Sequence, residues 1–205
     1  MIKKPGYILE HCRSNCPRAA KDWQALQTQL EIALDSLDLA EVLVERLGPL
    51  QYHHIPKISL AGCPNGCSQP LIKDFGISGY VTPKISDKPC LACGVCVKAC
   101  HEKALSLFEG KLSIEPTLCL SCGDCLRACP TGTLSAEESG WILYLGGRVG
   151  RHPHFAESVS NATREEDVVQ WVTQTLEEYL KHHHSYERLS NFLERFGLMH
   201  HAMKS

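Results

Sequence analysis

Apolar residues recur every three or four positions at Ala19, Trp23, Leu26, Leu30, Leu34 and Leu37. That interval gathers side chains on one helical face and predicts a helix after Cys16-Pro17. Asp38 is placed to cap a second helix carrying Leu39, Val42, Leu43 and Leu47, which Gly48-Pro49 ends. Lys57–Ala61 reads as a strand, and residues 75–81 as another with two glycines. The run WILYL at residues 141–145 is apolar on both faces, the pattern of a buried central strand. Thr163 and Glu166 have capping-box spacing before a helix that buries Val168, Val172, Leu176 and Leu180. Residues 185–196 read as a last amphipathic helix stopped by Gly197. These elements are those of a conventional α/β frame.

The pattern breaks between residues 87 and 135, where cysteines replace apolar periodicity. Cys90, Cys93, Cys96 and Cys100 form a C-x2-C-x2-C-x3-C run, and Cys119, Cys122, Cys125 and Cys129 form a second, followed by Pro130. Each run leads into a short helical turn, at residues 97–99 and 126–128, and the stretch KALSLFEGKLSIEP between them predicts a hairpin turning at Glu109-Gly110. Four further cysteines stand as two i,i+4 pairs, Cys12 with Cys16 and Cys63 with Cys67. On a helical path each pair presents both sulfurs on one side.

With 205 residues, 43% hydrophobic and 21% charged, the chain has a globular composition, neither disordered nor coiled-coil. A net charge of −2 without a basic block argues against nucleic acid as a partner. The opening MIKKPGYILEHCRSNC lacks the apolar core of a signal peptide, and no run approaches the roughly 18 apolar residues of a membrane span. The expectation is a cytoplasmic protein. In that reducing compartment twelve cysteines serve metal or redox chemistry rather than disulfides.

Twelve cysteines are the ligand count of three [4Fe-4S] clusters with none left over. Structural zinc is the competing assignment, because two CxxC pairs build a zinc ribbon, but zinc has no use for a third cysteine at the same short step in both runs. The paired runs resemble the bacterial two-cluster ferredoxin, in which each run lends its fourth cysteine to the other cluster. That resemblance implies one cluster on Cys90, Cys93, Cys96 and Cys129, and another on Cys119, Cys122, Cys125 and Cys100. The small residues Ala92, Gly94, Ser121 and Gly123 let backbone N–H groups approach the sulfurs. His101 departs from the pattern, where proline is usual after the fourth cysteine.

The whole order of pieces resembles the [4Fe-4S]/sirohaem half of the sulfite and nitrite reductase family. Three stretches carry the likeness: HCRSNCPRAA at residues 11–20, LAGCPNGCSQPLIKDFGISG at residues 60–79, and WILYLGGRVGRHP at residues 141–153. A ferredoxin pair between the second and third stretches also occurs in that family. The resemblance implies an α+β fold, with a discontinuous reductase-type domain over residues 1–86 and 136–205 and an inserted ferredoxin-like domain over residues 87–135. It implies that Cys12, Cys16, Cys63 and Cys67 hold a third cluster and that Cys67 bridges it to sirohaem. Sirohaem carries many carboxylates, so Arg148 and Arg151, then Lys57, Lys73, Arg13 and Arg18, are its candidate cations. Gly146 and Gly147 are candidates for close backbone approach.

The implied function is reduction of sulfite or nitrite, with electrons received from a partner protein. The family binds its oxyanion with arginines and lysines ahead of the first cysteine, where this sequence has only Lys3 and Lys4. A homodimer or partner subunit would then supply that half. The alternative is a three-cluster electron carrier with no sirohaem, serving another oxidoreductase.

Overall fold

The computed structural model describes residues 6–197, so Lys3 and Lys4 lie outside the described residues. In chain order its elements begin with β1 (Ile8–His11), α1 (Gln24–Asp35), α2 (Leu39–Leu47), β2 (Lys57–Ala61) and β3 (Phe75–Ile85). There follow α3 (Val95–Ala99), β4 (Leu105–Phe108), β5 (Lys111–Ile114) and α4 (Asp124–Ala128). The chain closes with β6 (Leu134–Leu145), β7 (Glu157–Ala162), α5 (Glu165–His182) and α6 (Leu189–Arg195). Five strands form one sheet in the order β1-β2-β3-β6-β7, the first three parallel and the last two pairings antiparallel. No helix among the described residues is long and apolar enough to cross a membrane.

The two faces of this sheet do different work, and the register shows which residues decide it. Phe75 stands beside Ile58 and Leu145, and Ile77 beside Leu60 and Leu143. All six are buried in one core with Leu26, Leu30 and Leu34 of α1, Leu39 and Leu43 of α2, and Val168, Val172 and Leu176 of α5. Phe75 meets Trp171 edge-to-face at 5.3 Å, the geometry that aromatic quadrupoles favour. On the opposite face the register aligns Ser59 with Gly76, and Ala61 with Ser78. These small residues leave room for the connection that returns from β2 to β3. Ser59 Oγ donates to the Ser68 carbonyl at 2.8 Å, and Ser68 Oγ donates to the Leu60 carbonyl at 2.7 Å. A Cβ at Gly76 would stand 2.3 Å from the Pro70 carbonyl oxygen.

β3 and β6 extend well past the helix-covered core, and their far ends, Ile85 and Leu134, are paired. The chain therefore leaves the sheet and re-enters it at adjacent positions. Between them lie α3, the β4-β5 hairpin and α4, with a small core of Cys96, Leu105, Cys125 and Leu134 separate from the main one.

Several elements differ from the sequence expectation for identifiable reasons. α1 starts at Gln24 because the Ala20 and Lys21 N–H groups are turned onto the Gly62 carbonyl instead of into a helix. Asp38 lies in the left-handed region at φ 46°, and its backbone carbonyl, not its side chain, receives the first N–H groups of α2. Thr163 does not form the expected capping box. Arg164 holds the cap position without a side-chain cap bond and pairs instead with Asp167. α6 begins at Leu189, later than the periodicity suggests. β1 and β7 were not foreseen, since both are short edge strands with mixed composition.

The contact at Gly76 yields a stability prediction. Gly76→Ala overpacks the returning connection and costs about 1–3 kcal/mol, read in thermal unfolding as about 2–4 °C of Tm per kcal/mol. An unchanged Tm would show that the connection is not tightly seated.

Candidate metal centres

The cysteine runs form two closely similar loops. In each, the residue before the second cysteine and the residue after it take left-handed backbone angles: Ala92 at φ 51° and Gly94 at 70°, Ser121 at 54° and Gly123 at 76°. Such angles turn successive N–H groups inward and coil the loop around its own sulfurs. The Ser121 N–H donates to the Cys119 sulfur at 3.4 Å, and the Ala104 N–H to the Cys100 sulfur at 3.3 Å.

The fourth cysteine of each run crosses to the other loop. Cys90, Cys93 and Cys96 line a small pocket together with Cys129. Cys119, Cys122 and Cys125 line a second cavity together with Cys100. Burial first, then the neighbouring Cys119, Cys122 and Cys100, push the Cys125 thiol up to about 11. Cys96 and Cys122 are raised by burial too. Cys129 goes the other way, to about 7, chiefly because the Leu134 N–H points at its sulfur.

The two i,i+4 pairs sit on turns, correcting the helical expectation. Asn15 and Gly66, each directly before the second cysteine of its pair, adopt left-handed φ of 52° and 59°, which ends any helical path. The sulfurs still converge, because β1 and β2 are parallel neighbours and release their chains at the same edge of the sheet. The Gly62 N–H donates to the Cys12 sulfur at 3.3 Å, and Asn65 Nδ2 donates to the Cys67 sulfur at 3.0 Å. Burial raises the Cys63 thiol, with Cys16, Cys67 and Cys12 adding to the shift.

This third set and the Cys100 set open onto one cavity of about 690 Å³. Among the described residues no three His, Cys, Asp or Glu side chains converge on the position of a single metal ion. The thiols are instead spread around larger spaces. Two contacts bind the loops across this cavity. The Val81 N–H donates to the Ser121 carbonyl at 2.8 Å, joining β3 to the second run. Asp124 receives Arg18 on one oxygen and Arg127 on the other, both at 2.6 Å, while Arg127 also donates to the carbonyls of Arg18, Ala19 and Cys122. Asp124 and Arg127 had no functional signal in the sequence beyond an i,i+3 pairing.

The candidate sirohaem residues separate in space. Arg13 and Arg18 line the large cavity. Lys73 is buried and paired with Glu10 at 2.5 Å; Glu10 lines an open groove of about 400 Å³ with Leu9, His11, Cys67, Ser68 and Gln69. Cys67 thus stands on the wall between cavity and groove. Lys57, Gly146, Gly147, Arg148 and Arg151 are not brought there. Lys57 begins β2, at the end of the strand away from Cys63, and its ammonium donates to the Tyr52 and Ile55 carbonyls. Gly146 and Gly147 follow the end of β6 that pairs with the start of β3. The close approach at Gly147 is to the chain itself: a Cβ there would stand 2.6 Å from the Leu71 carbonyl oxygen. Arg148 is engaged by Glu194 and the His152 carbonyl, and Arg151 is exposed.

The family described as nitrite and sulphite reductase 4Fe-4S domain matches residues 13–202 of this chain. The chain is similar to the coenzyme F420-dependent sulfite reductase of Methanocaldococcus jannaschii, 33% identical over 171 residues that cover 80% of this chain and 27% of that protein. It is similar also to one of the subunits of the anaerobic sulfite reductase of Salmonella typhimurium, 37% identical over 152 residues that cover 72% of this chain and 44% of that protein. It therefore spans about a quarter of the first relative's length and less than half of the second's. Among solved structures, dissimilatory sulfite reductase I shares the fold with a TM-score of 0.62 and 21% identity, over 94% of this chain and 50% of that one.

The multiple bonds of Arg127 predict a local consequence of its loss. Arg127→Ala should speed amide exchange in residues 16–20 and 122–128 by about tenfold, the effect of losing about 1.4 kcal/mol of charged hydrogen bonding. Exchange in α1 and α5 should not change. Equal acceleration everywhere would point to global destabilisation instead.

Proposed function

The chain belongs to the nitrite and sulphite reductase 4Fe-4S family, and on that premise we propose that it is the cluster-bearing portion of a sulfite or nitrite reductase-type oxidoreductase, carrying three [4Fe-4S] clusters. The observation that supports this most is how the twelve cysteines gather: four line one pocket, with Cys129 beside Cys96 and Cys90, and eight line the large cavity, where Cys125 neighbours Cys119, Cys122 and Cys100 while Cys63 neighbours Cys12, Cys16 and Cys67. The donor chemistry fits the cofactor. Sulfur ligands are met by backbone N–H groups and by Asn65, which favour an anionic cluster over neutral thiols. The segment of residues 87–135 is the ferredoxin-like insert on this reading, and residues 1–86 with 136–205 are the reductase-type frame.

When bound, the clusters supply one-electron carriers, and sirohaem supplies the iron at which a sulfur or nitrogen oxyanion is reduced. The protein's own residues set the order of use. Cys90 and Cys93 are exposed, so the set containing them faces an external electron-carrier protein. The Cys100 set and the Cys12 set share one cavity and form the inner relay. Cys67, on the wall between cavity and groove, would be the residue to join sirohaem to the third cluster, with Arg13 and Arg18 on the cavity wall as candidate cations and Lys73 paired behind Glu10 of the groove. The groove holds Glu10 and His11 but no cluster of arginines and lysines to bind an oxyanion. Those cations come from another part of the whole reductase or from a partner subunit.

A second reading keeps the three clusters without sirohaem and makes the chain an electron carrier. It is favoured by the position of Arg148, Arg151 and Lys57 away from the cavity. Anaerobic purification with sirohaem supplied separates the two. The proposed function predicts about 12 iron atoms in clusters, one more in sirohaem, and a strong Soret band. Cys67→Ser should abolish the Soret band and remove about four irons, leaving the other eight. Twelve irons with no Soret band would select the carrier, and eight irons or bound zinc would refute both.

A further inference from the structure

Arg18 lies on the wall of the large cavity together with Cys63 of one thiol set and Cys122 of the other. Both sulfurs are within electrostatic reach of its guanidinium. The side chain is not free to swing away: Asp124, itself only 15% exposed, holds it at 2.6 Å. Arg127 fixes the other oxygen of Asp124 and also grips the Arg18 backbone carbonyl at 3.1 Å. A residue of the first cysteine loop is thus anchored, at both backbone and side chain, to α4 more than 100 positions later.

We infer that Arg18, held by Asp124 and Arg127, is a positioning residue for electron transfer between the two inner clusters, spacing them across their shared cavity and stabilising the reduced form of each. The inference rests on the three-cluster reading above. The step is the passage of one electron: the cluster on Cys100, Cys119, Cys122 and Cys125 is oxidised by one electron, and that on Cys12, Cys16, Cys63 and Cys67 is reduced by one. No proton or bond changes hands, and the electron originates from a low-potential carrier protein, or from dithionite in the test. Reduction adds a negative charge to a cluster, so a fixed cation beside both raises both potentials. Arg18 is 59% exposed, so its effect is screened by salt, and the test belongs at low ionic strength.

The experiment is a spectroscopically monitored dithionite titration of the full chain with its clusters, as wild type, Arg18→Gln, Arg18→Met and Arg18→Lys. A count of twelve irons in the wild type checks the underlying reading separately, since a count of eight would defeat that reading before Arg18 is at issue. With twelve present, Arg18→Gln should shift the reduction equilibrium of both inner clusters about three- to tenfold toward the oxidised form, about 30–60 mV lower at 59 mV per decade. The outer cluster on Cys90, Cys93, Cys96 and Cys129 should not move, and Arg18→Lys should keep the inner potentials close to those of the wild type. Where Arg18→Gln does not retain its iron, Arg18→Met carries the test. It removes the same positive charge and should lower both inner potentials alike. Unchanged inner potentials in the neutral variant that retains its iron, or an equal shift of all three clusters, would overturn the inference.

Discussion

Gathering thiolates in sets of four is electrostatically unfavourable, and the structure depends on how that repulsion is offset. Burial and neighbouring sulfurs push Cys63, Cys122 and Cys125 toward the protonated form. Opposing this are donors supplied by loop geometry: the N–H groups of Gly62, Ala104 and Ser121, and the amide of Asn65. At Ala104 and Ser121 the left-handed backbone of Lys103 and of Ser121 itself turns the donor inward. At Gly123, φ 76°, a Cβ would stand 2.5 Å from Val81 Cγ1, so a larger residue there would strain the backbone and push the second cysteine loop or Val81 aside. Metal binding couples to the same balance, since each ligand must lose its proton as iron is taken up.

The frame gives these loops a common origin. β1 and β2 run parallel and release Cys12 and Cys63 side by side, while paired extensions of β3 and β6 carry the two runs out and back. One sheet therefore sets the spacing of all three sets. The Arg18–Asp124–Arg127 network locks the innermost loops together, and the exposed Cys90 and Cys93 face outward. Cys67, at the far side of the shared cavity, is exposed as well, in a chain that covers 27% and 44% of its relatives' lengths.

Much of this was legible in the residues. Buried Leu26, Leu30 and Leu34, the WILYL strand and the Glu109-Gly110 hairpin follow from period and turn chemistry. The twelve cysteines announced themselves by spacing. Edge strands such as β7, with sequence ESVSNA, carry no strong alternation and were missed. The polar outer length of β6, around Glu137 and Glu138, was missed because it leaves the core. Long-range charge pairing is harder still: nothing near Arg18 indicates a partner at Asp124. The GGRVGR loop drew attention as a ligand cradle, yet Gly147 packs on the Leu71 and Lys73 carbonyls, a demand of backbone packing that looks the same in sequence.

The central claim is that four thiols from two separate segments surround each of three polynuclear iron sites. Anomalous diffraction at the iron edge from anaerobic crystals of the chain tests it most directly. The account predicts three compact four-iron sites: one among Cys90, Cys93, Cys96 and Cys129, one among Cys100, Cys119, Cys122 and Cys125, and one among Cys12, Cys16, Cys63 and Cys67. Two sites, single-metal sites with zinc-edge signal, or a four-iron site held by one unbroken run would contradict it.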